Sequence, residues 1–403
     1  MQLVEKHVIK QGHRFYQEID QLCFLSKNLY NVGNYLIRQT FINSNESLSY
    51  YDIQKQLQSS VDYKALPSKV SQQVLMVLDR NWKSFKEALK SWFENQSRFL
   101  GKPKLPKYKH KTNGRNIVIY TKQALSKPAL ERGVIKPSKT NIELLTKSVN
   151  IAQVRIVPKL DHYVIEVVYN KEVEPASIDV NKIAAIDLGL SNLATVTFNQ
   201  AGIAPLLING SPLKAMNQFF NKQKANWQSI IGTGTTKRIQ KLCTKRHHKV
   251  DDYMHKASRF IINKLLGLGV DTLVIGKNEN WKQEINIGSR NNQNFGQIPH
   301  SLFINKLTYK AELIGIKVLV TEESYTSKAS FLDLDNIPTY QEGVKHTFSG
   351  KRIIRGLYKS ADGRIINADV NGSYNIMRKA VPNAFANGIE GIVVCPVKVK
   401  LPN

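Results

Sequence analysis

Apolar residues at Phe15, Ile19, Leu22, Leu25, Leu29, Val32 and Leu36 recur every three or four positions, a spacing that sets them on one face of a helix and leaves the other face polar. A second stripe, Val70, Val74, Val77, Leu78, Trp82, Phe85, Leu89 and Trp92, predicts another helix over 68–93, with Pro67 just ahead of its start. Trp82 and Trp92 belong to that stripe, so both rings are read as core packing rather than as platforms for stacked bases. The period then changes. Short runs at 117–120, 151–157 and 163–169 are of β type and are punctuated by Gly133, Pro137 and Pro158, the pattern of a small β-domain. The segment 3–9 joins it, which makes the helical part an insertion between β elements.

After a linker at 172–181, the second half opens on an apolar run at 183–187, a turn at 188–191 and a second run at 193–198, which together predict a hairpin. Two helical stretches follow. The longer, 235–266, carries Ile239, Leu242, Val250, Met254, Ala257, Ile261 and Leu265 on one side. Next come a strand at 272–276, a helix over 299–313, a strand at 316–320, an irregular segment and a last helix near Asp369. A hairpin followed by alternating β and α elements implies a mixed sheet whose later strands are parallel, and chemistry gathers at one end of such strands.

Charge narrows the class of partner. The 403 residues are 42% hydrophobic, enough for a sizeable core, yet 58 Lys and Arg stand against 31 Asp and Glu, for a net charge of +27. A surplus of that size attracts polyanions, and nucleic acid is the expected partner. No run of 18 or more apolar residues and no secretory signal is present, so no membrane partner is expected and the chain is expected to stay in the cytosol. The basic stretch 98–115 contains prolines and glycines that cannot continue a helix. Lys102, Lys104, Lys107 and Lys109, with Tyr108 among them, fit phosphate contacts with an occasional stacking ring; a solvated linker is the alternative. Arg238, Lys241, Lys245 and Arg246 on the long helix are further candidates for nucleic-acid contact, or else a solvated face. Cys23, Cys243 and Cys395 are too widely spread for a disulfide framework or a zinc pair.

Two carboxylates are candidates for chemistry. Asp187 ends the apolar strand of IAAIDLGLSNLATV, and Asp369 lies in NADVNGSYNIMRK; each would also serve as an ordinary turn or helix cap. IDLGLSNLATV and DVNGSYNI resemble the first and third RuvC segments of the TnpB (OrfB) family of insertion sequences, and ESYTSKAS resembles the RYTSK segment that lies between them. The order is also that of the family, and the similar sequences are chiefly cyanobacterial. The resemblance implies an α/β plus β-barrel fold. An RNase H-like, RuvC-type mixed-sheet nuclease domain at 181–403 would follow a small β-barrel at 1–12 and 115–175, itself interrupted by a helical recognition insertion at 13–114. It further implies an RNA-guided, metal-dependent DNA endonuclease related to type V CRISPR effectors. Its partners would be a guide RNA transcribed from the transposon and a double-stranded DNA target with a short recognised motif. Carboxylate oxygens are the ligands Mg²⁺ prefers, with Mn²⁺ as a substitute, and Asp187 and Asp369 would bind the ions.

Two departures from the family pattern change the expected site. The insert at about 329–364 lacks the zinc-ribbon cysteines, so no zinc site is expected. The second RuvC strand, which usually ends on a glutamate, ends here on Gly276 in LVIGKNENW. Glu323, just beyond the neighbouring strand in VLVTEESYTSKAS, is the expected replacement as third catalytic and metal-binding carboxylate. Glu279, in the loop after Gly276, is the alternative. A nuclease-dead RNA-guided DNA-binding regulator and a transposase are the competing functions.

Overall fold

The computed structural model describes residues 1–173, 181–278 and 288–402, which form two compact units, Met1–Glu172 and Val173–Asn403. In the first unit, β1 (Gln2–Lys10) precedes two long helices, α1 (Tyr16–Ser44) and α2 (Ser68–Glu94), and then β2 (Val118–Thr121), β3 (Ile151–Pro158) and β4 (His162–Asn170) complete a sheet in the order β1-β4-β3-β2. All its pairings are antiparallel. The expected β-barrel is not found: among the described strands β1 and β2 are free edges, and the sheet stays open. Its physical reason lies in the helices. Ile19, Leu29, Val70, Leu78 and Trp82 share one core with Tyr120, Val154, Ile165 and Val167, so one face of the sheet is covered without the sheet closing on itself. Trp82 is buried in that core and donates through Nε1 to Asn34 Oδ1 at 2.9 Å, as its place in the stripe implied. α1 runs eight residues past Leu36 because Phe41 continues the stripe, packing edge-on against Trp82 and Phe85.

The second unit is built on a six-stranded mixed sheet. Its hairpin is β5 (Ile183–Leu188) and β6 (Asn192–Phe198), followed by β7 (Leu206–Asn209), the helices α3 (Ser211–Ile231) and α4 (Lys237–Gly267), β8 (Thr272–Gly276), α5 (His300–Glu312) and β9 (Lys317–Thr321). A small antiparallel sheet, β10 (Lys351–Ile354), β11 (Leu357–Lys359) and β12 (Ile365–Asn367), leads directly into α6 (Ala368–Ala380), and β13 (Val397–Val399) ends the chain's strands. The main sheet has the order β9-β8-β5-β6-β7-β13. β8 is parallel to both β5 and β9, while β5 and β6 are antiparallel, as the alternation of β and α elements predicted.

One contact between helices is costly. Lys306 and Lys310 on α5 are buried against α4, where Lys306 Nζ lies 2.8 Å from Asp251 Oδ1 and Lys310 Nζ donates to Ser258 Oγ at 2.6 Å and to the His255 carbonyl at 2.9 Å. Burial first, then the charges of Arg259 and Lys306, lower Lys310 from the ordinary 10.5 to about 8. Below pH 8 the residue is charged in both folded and unfolded chains, and the folded state carries the full cost of burying it. Between about 8 and 10.5 the unfolded chain binds more protons, so stability rises with pH. Lys310→Met should therefore raise unfolding stability at pH 7 by on the order of 1 kcal/mol. Its advantage over the native chain should shrink as pH rises through that window. Chemical denaturation at a series of pH values checks this, and a destabilised variant at pH 7 would contradict it.

Candidate active site

Side chains of β5 alternate between two cores. Ala184, Ile186 and Leu188 pack with residues of α4 and α5, whereas Ile183 and Ala185 share a core with Val274 and with Ile376 and Met377 of α6. Asp187, two residues beyond Ala185, therefore leaves the sheet on the α6 side, where it is half-buried. The helix comes close because residue 372 is glycine: a β-carbon there would stand 3.0 Å from Asp187 Oδ2. Ser373 fixes the approach, with its Oγ 3.1 Å from the Ala185 carbonyl, 3.2 Å from the Thr195 carbonyl and 2.9 Å from Thr197 Oγ1. Asp369 occupies the first turn of α6, which Asn367 caps by accepting from the backbone N–H groups of Asp369 and Val370. Asn192, at the start of β6, donates to Asp369 Oδ2 at 2.8 Å, and the Arg352 guanidinium lies 3.8 Å from its Oδ1.

The third acid arrives from the neighbouring strand. Gly276 pairs with Thr321 across the parallel β8–β9 ladder, and the β5–β8 ladder that ends at Ile275↔Ile186 brings Gly276 level with Asp187. Glu323 follows two residues after Thr321, and its N–H donates to Asn278 Oδ1 at 2.9 Å, which ties this turn to the end of β8. The carboxylate then folds back over the glycine. A β-carbon on residue 276 would lie 2.7 Å from Glu323 Oε2 and 2.5 Å from Ile376 Cδ1, so the space where a side chain at 276 would begin already holds Glu323. Glu322 turns elsewhere, to Lys379 Nζ at 2.5 Å and to the Ser324 N–H at 2.5 Å. Those bonds outweigh the opposing effect of burial and keep its carboxyl below the ordinary value.

Electrostatics mark the centre of the group. Burial first, then Glu323 and Asp369, push Asp187 well above the usual carboxylate range, with Arg352 pulling the other way. Burial and the adjacent Glu322 push Glu323 up to about 7. Asp187 thus has Glu323 on its β8 side and Asp369 on its β6 side. Among the described residues no hydrogen-bond donor offsets its charge. No group of three or more His, Cys, Asp or Glu among them is arranged to hold an ion by itself; the acids instead form two pairs that share Asp187. Glu279 lies outside the described residues. Asn192, Asn278, Arg352 and Gly372 were not singled out from the sequence; Gly372 was the legible one, standing three residues after Asp369 and so one helical turn along the same face.

The basic candidates fall into two groups. In the first unit, the loop carrying Lys102, Lys104, Lys107, Tyr108 and Lys109 is exposed and is held to α1 through its backbone: Asn31 donates to the Lys109 carbonyl at 2.9 Å, and Asn34 and Arg38 donate to the Pro106 carbonyl at 3.1 and 3.0 Å. Its cationic side chains are left outward, with Arg38 over the Tyr108 ring at 5.0 Å. On α4, Lys241 and Lys245 are exposed and Arg238 lies over Trp227 at 4.5 Å. Arg246 differs. Its guanidinium donates to Asn217 Oδ1 at 2.9 Å and to the Gln297 carbonyl at 2.8 Å, so it joins elements within the unit. The spacing Leu242, Arg246, Val250 puts it on the core-facing stripe, a signal present in the sequence.

Two family models match this chain: OrfB_IS605, described as a probable transposase, over residues 166–282, and the Cas12f1-like TNB domain over residues 300–376. A TnpB-like protein of Acidianus two-tailed virus is 26% identical over 57% of this chain and 47% of its own length. The CRISPR-associated endodeoxyribonuclease Cas12f1 of Sulfoacidibacillus thermotolerans is 27% identical over 65% of this chain and 60% of its own length. Over these stretches the chain is similar to TnpB-like proteins and to a type V effector nuclease. The chain spans about half to three fifths of the length of those two relatives. Among solved structures, the Cas12f1–sgRNA–target DNA complex aligns over 94% of this chain and 100% of that chain at 16% identity, with a TM-score of 0.37, too loose a superposition to bear on the site.

The packing over Gly276 is itself testable. Gly276→Ala should destabilise the protein by about 1–3 kcal/mol, because the added methyl must displace both Ile376 and Glu323. Denaturant unfolding measures this, and an unchanged midpoint would mean that the space over the glycine is empty.

Proposed function

We propose that this protein is an RNA-guided, metal-dependent DNA endonuclease encoded by a transposon, with Asp187, Glu323 and Asp369 as its catalytic carboxylates. One observation carries the reading: the Glu323 carboxylate fills the space beside Asp187 that a side chain on Gly276 would enter. The resemblance to TnpB-like proteins supports a guide RNA and a double-stranded DNA target, a relative named as an endodeoxyribonuclease supports DNA cleavage, and the charge of +27 suits both polyanions. In this reading 181–403 is the nuclease domain, 13–114 the recognition insertion, and 1–12 with 115–175 the β part. The exposed Lys102, Lys104, Lys107, Lys109 and Tyr108, with Arg238, Lys241 and Lys245, contact nucleic acid.

The donors fit a hard divalent ion. They are carboxylate oxygens only, and the crowding of Glu323 and Asp369 around Asp187 is offset only in part by Arg352, which leaves charge for Mg²⁺ or Mn²⁺ to relieve. When bound, the metal supplies a nucleophile from water and stabilises the leaving oxygen of the phosphodiester. The protein's part is positioning: Asp187 is shared, Glu323 and Asp369 stand on either side, Asn278 and Asn192 hold those two, and Gly372 lets α6 close over Asp187.

The purified protein with its guide RNA should cut a matched duplex beside the recognised motif only when Mg²⁺ or Mn²⁺ is present. Asp187→Asn, Asp369→Asn and Glu323→Gln should each slow cutting by at least about a hundredfold, the scale for losing one charge-stabilising group, while RNA and DNA binding persist. Binding without cleavage by the native protein would identify a regulator. Strand transfer of transposon ends without a guide would identify a transposase. Normal cutting by Glu323→Gln, with loss in Glu279→Gln, would assign the third carboxylate to the loop.

A further inference from the structure

Beside the acids stand two cations for which the carboxylate centre gives no use. Lys214, in the first turn of α3, bends back so that Nζ donates to Ser191 Oγ at 2.9 Å, in the turn between β5 and β6 that joins Asp187 to Asn192. The Gly210 N–H bonds the Ser191 carbonyl at 2.8 Å, which fixes the start of α3 on the same turn. Arg355 comes from the opposite direction. It sits at the tip of the β10–β11 hairpin, where the Gly356 carbonyl accepts the Ala368 N–H at 2.9 Å and so fastens the tip to the start of α6, next to Asp369.

These charges are near enough to oppose each other: burial first, then Arg355, holds Lys214 below its ordinary value. No ion pair to either residue is present among the described residues, and residues 188–250 contain no Asp or Glu to supply one. Arg352 belongs to the other side, since its guanidinium faces Asp369. The result is a rim with two cations, neither in an ion pair among the described residues, on one edge and three acids on the other. Lys214 is held there by its bond to Ser191 Oγ, and the fastened hairpin tip sets the exposed Arg355 at the start of α6.

We propose that Lys214 and Arg355 form a phosphate grip for the nucleic-acid strand that enters the carboxylate centre, holding a phosphodiester that flanks the one beside the acids. This rests on the nuclease reading for the identity of the strand, though not for the existence of the grip. A free phosphate is the poorer occupant, because the neighbouring acids repel a small anion, whereas a strand is also held by contacts elsewhere. The grip acts on binding and placement, and it exchanges no proton with substrate.

The test uses the guide-loaded protein and a fluorescein-labelled single-stranded DNA oligonucleotide, read by anisotropy across a salt series without added divalent metal, with cleavage kinetics in Mg²⁺ measured alongside. Lys214→Gln with Arg355→Gln should weaken binding about tenfold and reduce the slope of log affinity against log salt by roughly 0.7, one phosphate contact on a single strand. KM for the strand should rise with kcat little changed, and Lys214→Arg should retain native binding and slope, which a folding defect in the double variant would not explain. Unchanged slope and KM in the double variant, with native cutting intact, overturn the grip and leave the nuclease reading standing. A lowered slope in that variant, with cutting undisturbed by Asp187→Asn, upholds the grip and overturns the carboxylate reading instead.

Discussion

Mutual repulsion among Asp187, Glu323 and Asp369 is the constraint on which the second unit depends. Crowded, partly buried carboxylates are expensive, and a fold keeps them close only if other interactions hold the elements that carry them. Here those interactions are mostly neutral. Ser373 locks α6 to the carbonyls of β5 and β6, Asn367 caps the same helix, and the apolar contact of Ile376 and Met377 with Ile183, Ala185 and Val274 seats its next turns. The acids are thus presented by a rigid frame whose stability does not come from them.

Two glycines make that frame possible. At 372 the missing side chain lets the helix lie against Asp187, and at 276 it leaves room for a carboxylate that comes from another strand. On the proposed reading, the second case lets a position change its residue and keep its chemistry. Parallel neighbours end on the same edge, so an acid two residues past the end of β9 can lean over the end of β8, provided nothing grows from β8 at that point. The adjacent Glu322 cannot do this, because Lys379 and the Ser324 N–H hold it in the other direction.

Much of this was legible in the chain. The order of the hairpin, β8, α5, β9 and α6 followed from hydrophobic periodicity, and so did the parallel pairing that brings 276 and 321 together. Where the period was short or the contact long-range, the sequence was silent. The short strands β7 and β13, with four and three residues, draw their pairing from sheet context alone. The expected barrel rested on the family resemblance, and nothing in strand patterning could say whether the sheet would close or remain open under two helices. Arg352 and Arg355 lie in a segment with no helical or strand period strong enough to place them, and only the folded hairpin brings one to Asp369 and the other to the start of α6.

The central claim is that one carboxylate has moved from β8 to the strand beside it, so its most direct test is to move it back. A chain with Glu323→Ala, Gly276→Glu and Ile376→Val, the last to give the new side chain room, carries the acid on the strand end where the family usually has it. Guided cleavage in Mg²⁺ should be lost in Glu323→Ala and recovered, at least in part, in the triple variant. Recovery would mean that the two positions serve one site. Full cleavage by Glu323→Ala alone, or no recovery in a triple variant that folds and binds guide RNA, would contradict the account.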